Sequence, residues 1–491
     1  MIQAQDESKT RYYIFILISI FVQAVWIINS DGFYYIDDSC HFNYNVHFLS
    51  TIEYSVGFWH RLGRVLLFFI PSQFGLKGVQ IFSSLIFTLT YLLSYKILKI
   101  KKVKYAEWII PVIAFQPVLF NISYTVLAEL PAGFLFILSY YFFLKDRPYA
   151  AMISASAIFL FRTELYFITG IYFLIYLFRK KYFVLPFIIA GPLFWYLMSF
   201  FITDNALVFF DNLRLHNKLP RVTEGVQWYH YFIKSPKIFG VFQTVGFMAG
   251  LWLLFRNKLI KDYYIPLIFV FGGIIINTLL ALEGFNISCS TGQLRYVATV
   301  GPAFGLISVL GFEYFFGRFG RKKYVYILLF ILIILLMFIT GPFSTPFHKK
   351  YEIEKFAERI AELQKKQYPD YVVISAIHQI ANAMEEPATG NDKFRTMSRE
   401  NIEKYPKAII VWEKYLETSP FGGEPVFLKY IEELPNVRLL DSVNTLTVRD
   451  DDTPLYKIFN GYNALLDNTI QYFISEQNTW EHLVVKIYIK D

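Results

Sequence analysis

The chain has 491 residues, of which 55% are hydrophobic and only 18% charged, and its formal net charge is +8. A soluble chain of this length would divide into domains and carry more charge. Here the apolar residues gather in long blocks and the basic ones in short loops between them, so the composition points to a polytopic membrane protein, and the positive charge to orientation in the bilayer rather than nucleic-acid binding. The two cysteines, Cys40 and Cys289, exclude a disulfide scaffold or a cysteine-rich metal centre.

Lys9 and Arg11 precede an apolar run from Tyr12 to about Ile28, nearly the length of a full span and with no small-residue cleavage site after it, which reads as a retained first helix. Counting that run as 12–30, further runs of spanning character follow at 77–99, 106–120, 124–144, 149–162, 164–178, 182–203, 237–255, 263–282, 296–316 and 324–342, which makes about eleven helices. The runs at 106–120 and 149–162 are short for a span. Basic residues fall in alternate loops: Lys9 and Arg11, Lys96 to Lys104, Lys145 and Arg147, Arg179 to Lys181, Arg256 to Lys261, and Arg318 to Lys323. That side is expected to be cytoplasmic. The opposite side then receives the loop after the first helix, the long loop from Ile202 to Ser235, "EGFNISCSTGQLRY" and everything after about Gly341.

The first external loop carries "NSDGFYYIDDSCHFN", with Asp37 and Asp38 adjacent, followed by "HFNYNVHFLSTIEYSVGFWHRLGRVLLFFIPSQFG". That stretch is too polar to span yet rich in aromatics and histidine, so over about 31–76 it reads as one or two helices lying in the interface. The plain alternative is a solvated acidic loop. Other charges stand where apolar runs begin or end on the same side: Glu129 in "AELPAG", Arg162 and Glu164 in "FRTELYF", and Arg295 with Tyr296 in "QLRY". Charges at such positions are costly unless they pair or face a polar cavity, and pairing of Arg162 with Glu164 or Glu129 is the structural alternative to a site. Cys40 and Cys289 both fall in external loops, where a disulfide between them is chemically allowed.

From about 345 the chain turns polar and reads as a small α/β domain covering 345–491. "YEIEKFAERIAELQKK" has helical spacing, "DYVVIS", "KAIIVWE", "NVRLLDSV" and "YKIFN" read as strands, and "PVFLKYIEEL" as a helix opened by proline.

An acidic pair directly after helix one, interfacial helices behind it, a late "QLRYVATVGP" and an external C-terminal domain resemble the GT-C superfamily of polytopic glycosyltransferases, which includes protein O-mannosyltransferases, aminoarabinose transferases and bacterial polyprenyl-phosphate-sugar transferases. The resemblance covers roughly residues 10–340. It implies a membrane domain over 1–344, a polyprenyl-phosphate-linked sugar donor, a lipid, glycan or protein acceptor, and an aspartate of the first loop, Asp37 or Asp38, as general base or acceptor-positioning group. It also implies that Arg295 lies near the donor phosphate, with Arg162, His60 and Arg61 as further phosphate ligands and Glu129, Glu164 and Tyr296 lining the pocket. The chain has Asp-Asp where several branches have Asp-Glu, and no Asp-x-Asp metal motif, only Glu129. No metal or other cofactor is therefore assumed. A bacterial inner membrane location, with the N-terminus cytoplasmic and the C-terminal domain external, completes the expectation. A lipid or polysaccharide transporter or a polymer ligase is the alternative; a transporter is expected to show repeats and mid-membrane charges rather than charges at helix ends.

Overall fold

The structure, a computed structural model, describes residues 2–34, 36–216, 226–282, 292–319, 323–345, 347–350, 352–414, 426–446 and 483–491. Helices stand at every apolar run of the sequence. Among the described residues, four are long and apolar enough to cross a membrane: Ser8–Asn29, Gly75–Ile100, Tyr182–Thr203 and Ile260–Ala281. The 22 residues of Ser8–Asn29 rise about 33 Å, enough for a hydrocarbon core of about 30 Å. The other apolar runs form shorter helices, among them Glu129–Leu144, Pro148–Leu160, Thr163–Phe178, Val241–Arg256, Gly301–Phe315 and Ile327–Thr340.

The 106–120 run is not one helix. It breaks between Ile109–Ala114 and Pro117–Ile122, where Gln116 is extended. Proline supplies no N–H and disfavours helical geometry in the residue before it. Every residue of both pieces is buried, so the break meets protein rather than lipid, the condition under which a broken backbone is tolerated at membrane depth. The 237–255 and 296–316 runs pack at glycines. A Cβ on Gly311 would stand 2.1 Å from the Gly246 carbonyl oxygen, and one on Gly250 2.1 Å from that of Ile307. Only hydrogen at these positions lets the two backbones approach so closely.

The interfacial stretch resolves into two helices, Ile36–Val46 and Leu62–Ser72, joined by the single turns Phe48–Ser50 and Ile52–Ser55. The fully buried Arg64 ties them together: its Nε donates to the His60 carbonyl at 2.8 Å, and its Nη1 to the His41 carbonyl at 3.3 Å and to Asn45 Oδ1 at 3.2 Å. The stretch from Ile202 to Ser235, expected as a loop, contains the helices Val208–His216 and His230–Ile233.

Among the described residues, the C-terminal region builds a five-stranded sheet in the order β2-β1-β3-β5-β4, from β1 (Val372–Ser375), β2 (Phe394–Thr396), β3 (Ala408–Glu413), β4 (Val437–Leu446) and β5 (Leu483–Lys490). β1 runs parallel to β2 and β3, while β5 lies antiparallel to both β3 and β4. Successive side chains of a strand point to opposite faces. Ile409 and Val411 therefore join one core with the helix Glu352–Gln367, while Ala408, Ile410 and Trp412 join another with Ile402 and Ile431. Burial on both faces explains the unbroken apolar run of β3. Sequence reading missed β2 and β5 and made the helix near residue 428 too long; it covers only Leu428–Glu432. The strand expected at "YKIFN" and Cys289 lie outside the described residues. Cys40 is buried in the first of these cores, and so is Tyr44. The helix Ile36–Val46 thus shares a buried core with the sheet residues Ile409, Val411 and Val485.

Candidate active site

Asp37 and Asp38 occupy the first turn of the helix Ile36–Val46 rather than an open loop. Unpaired N–H groups and the helix dipole favour carboxylates there. Adjacent residues of a helix point about 100° apart, and the two aspartates meet different surroundings. Asp38 is 2% exposed. Its Oδ2 accepts from the Tyr34 backbone N–H at 3.1 Å and its Oδ1 from that of Val126 at 2.9 Å. Burial pushes its midpoint up to about 6, against the two backbone hydrogen bonds that favour the charged form. Asp38 thus stitches the helix start to the segment after Pro117–Ile122. The Asp37 side chain keeps 24% of its surface open and pairs with Arg295.

From that pair an ion ladder of alternating sign runs inward. Arg295 stands on the short helix Leu294–Ala298, with its Nε 3.8 Å from Glu129 Oε1. Glu129 opens the helix Glu129–Leu144 and accepts from Arg162 Nη1 at 3.3 Å. Arg162 lies in an extended link between two short turns and reaches Glu164 with its Nε at 2.7 Å. Glu164 is 3.7 Å from Arg61, whose Nη1 donates to Thr163 Oγ1 at 2.8 Å. Arg61 has a φ of +59°, a left-handed geometry that a non-glycine residue holds only where its surroundings impose it. The Tyr296 ring takes the Arg162 guanidinium at 4.6 Å and that of Arg295 at 5.3 Å, an arrangement that stabilises cations in a desolvated site. The order is Asp37, Arg295, Glu129, Arg162, Glu164, Arg61. Three acids alternate with three bases, so the ladder is balanced without a ligand. The Arg162–Glu129 and Arg162–Glu164 pairs, offered by the sequence as alternatives, both exist.

His60 sits among aromatic rings. Its ring lies 3.9 Å from that of Tyr44 and 4.9 Å from Trp59. Burial, with Arg64 beside it, holds the imidazole well below its usual range. It packs in an aromatic nest on Tyr44 and Trp59, next to Arg61. Sequence reading also missed Arg64 and His41, although "HRLGR" puts a second arginine one turn from Arg61.

No protein-family model and no curated protein matches the sequence. The structure is similar to two crystal structures of ArnT from Cupriavidus metallidurans. One is bound to undecaprenyl phosphate (10% identity, TM-score 0.60) and one is in the apo state (9% identity, TM-score 0.60), and each comparison covers 97% of this chain and 97% of the other. At this identity the likeness is one of fold. The chain shares the fold of these structures over 97% of its length, and among its described residues four helices are long and apolar enough to cross a membrane.

Proposed function

We propose, from the GT-C fold and the ion ladder it carries, that this protein is a membrane glycosyltransferase that moves a sugar from a polyprenyl-phosphate donor to a hydroxyl-bearing acceptor. The observation that carries the reading is Asp37, a partly open carboxylate at the first membrane exit, paired with a nearly buried arginine. The ArnT structure bound to undecaprenyl phosphate supports a polyprenyl phosphate as the lipid partner. A sugar on a lipid phosphate is already activated, because the phosphate is its leaving group. Transfer then needs a base for the acceptor proton and a cation for the departing phosphate.

Asp37 is the base, since Asp38 is committed to two backbone N–H groups. Arg295 receives the phosphate; its planar fork can hold two oxygens. An arriving phosphate competes with Asp37 for the Arg295 guanidinium, so donor binding frees the carboxylate that must take the proton. Glu129, Arg162, Glu164 and Arg61 keep Arg295 in place from behind. Tyr296 flanks both Arg162 and Arg295. The reading includes eleven membrane crossings, a division of the chain near residue 345, a cytoplasmic N-terminus, an external C-terminal region and a bacterial inner membrane.

The test is transfer of a radiolabelled sugar from polyprenyl phosphate by membranes containing the protein. Label should move to an acceptor fraction. Movement of intact donor across the bilayer without transfer would instead indicate a transporter, and extension of a glycan already on lipid a polymer ligase. For orientation, a reporter cysteine near residue 400 should be modified from outside and one near residue 102 spared. The reverse pattern would overturn the topology and the mechanism with it.

A further inference from the structure

We propose that the protein holds the phosphate head of an anionic phospholipid in a cavity at the far ends of the helices that carry the ion ladder. The site belongs to the side of the basic loops, and it stands or falls independently of the transfer reaction.

The cavity measures about 370 Å³, within the range of small-molecule sites, and lies where four helices end or begin. Two of these helices start in the ladder. Glu129–Leu144 opens with Glu129 and reaches the cavity with Leu144, while Thr163–Phe178 opens beside Glu164 and is followed at the cavity by Arg179. The first has 16 residues and rises about 24 Å, most of a hydrocarbon thickness. Gly75–Ile100 delivers Lys101 to the cavity, and the first turn of Ile260–Ala281 delivers Lys261.

The four walls are fixed to one another. Lys101 Nζ donates to the Asp262 carbonyl at 2.8 Å, and the Tyr140 hydroxyl donates to the same oxygen at 3.3 Å. Those two bonds join the ends of three helices. The Arg179 guanidinium rests on the Phe143 ring at 4.9 Å, which joins the fourth. Cations are thus held at one place rather than scattered along mobile loops.

Charge then selects the ligand. Of the two carboxylates that line the cavity, Asp146 is paired with Lys181 at 2.6 Å. Asp262 stands in the first turn of its helix, where the dipole favours an acid. Among the described residues, no carboxylate lies within ion-pair distance of Lys101, Arg179 or Lys261. With Lys181 included, four cations face two carboxylates, and the surplus is positive. Arginine binds phosphate with a planar fork and lysine as a point charge. Basic pockets between helices on the cytoplasmic side suit lipid head groups. The rest of the lining favours a lipid over a soluble phosphate. Phe143, Leu144, Tyr264 and Ile265 place apolar surface beside the cations, and Phe178, the residue before Arg179, is 80% exposed.

The test titrates the full-length protein in detergent with phosphatidylglycerol and reads bound lipid by native mass spectrometry, with zwitterionic phosphatidylcholine as reference. Phosphatidylglycerol should be retained in preference. Arg179→Gln combined with Lys261→Gln should weaken its binding about 30-fold, the scale for two cations lost beside an anionic lipid. Lys145→Gln combined with Lys180→Gln removes the same charge from neighbouring positions that do not line the cavity, and should bind as the wild type does. All four side chains are exposed, where substitutions cost little stability. Equal weakening in both double variants would mean diffuse attraction to the basic loops and overturns the site. So does binding without preference for phosphatidylglycerol. Displacement of the lipid by an equal concentration of inorganic phosphate would make free phosphate the ligand and overturns the lipid assignment.

Discussion

Asp37→Asn is expected to lower sugar transfer by about 100-fold or more, the scale of a positioned base, while the protein folds and melts as the wild type does. The amide keeps the size of the carboxylate and loses its basicity. The loss should fall on turnover rather than on donor KM. The surroundings of Asp37 make this a clean substitution: the side chain is partly open, and its ion-pair partner Arg295 retains Glu129 nearby. Asp38→Asn should behave differently. Both Asp38 oxygens accept from backbone N–H groups, and an amide turns one acceptor into a donor facing a donor. A buried group left unsatisfied costs about 1–3 kcal/mol. The expected result is lower yield and a lower melting temperature, with activity lost in proportion to folded protein. If Asp37→Asn transfers sugar at the wild-type rate, Asp37 is not the base.

Arg162→Met is expected to have the largest effect on stability. Arg162 is 7% exposed and bridges Glu129 and Glu164. Removing it leaves two buried carboxylates short of their shared cation, and breaking a buried pair costs about 3–5 kcal/mol. Arg162→Lys should rescue little, since a point charge cannot serve two carboxylates as a planar fork does. Adding Glu129→Gln to Arg162→Met should recover part of the loss, because one orphaned charge is gone. Thermal unfolding in detergent reads all three variants. A melting temperature for Arg162→Met equal to that of the wild type would mean that the ladder is not a buried ionic structure.

The helices were legible because apolar runs and alternating basic loops each carry a direct physical signal. Four charges of the ladder, Glu129, Arg162, Glu164 and Arg295, stood out too, since each sits where an apolar run begins or ends. Their pairing did not: Arg295 and Asp37 are 258 residues apart in the chain, and only the fold brings them together. The difference between Asp37 and Asp38 was hidden for another reason. As a loop the pair is symmetric; as the first turn of a helix its two members face different neighbours. β2 is three residues long and too short to show a period, whereas β5, "LVVKIYIK", carried a β-branched signal that was overlooked. The break at Gln116–Pro117 was readable from the proline. The role of Asn43 and Asn382, which donate to the Glu386 and Ser39 carbonyls, in joining the two parts of the chain was not, because nothing local distinguishes a buried asparagine from an exposed one.

On this mechanism the ladder ending at Asp37 and Arg295 receives the phosphate of a polyprenyl donor. A structure of the full-length protein with undecaprenyl phosphate tests it most directly. A phosphate oxygen is expected within about 3.2 Å of the Arg295 guanidinium, with Asp37 released from that guanidinium and open to an acceptor. A phosphate bound elsewhere, with Arg295 still paired to Asp37, would contradict it.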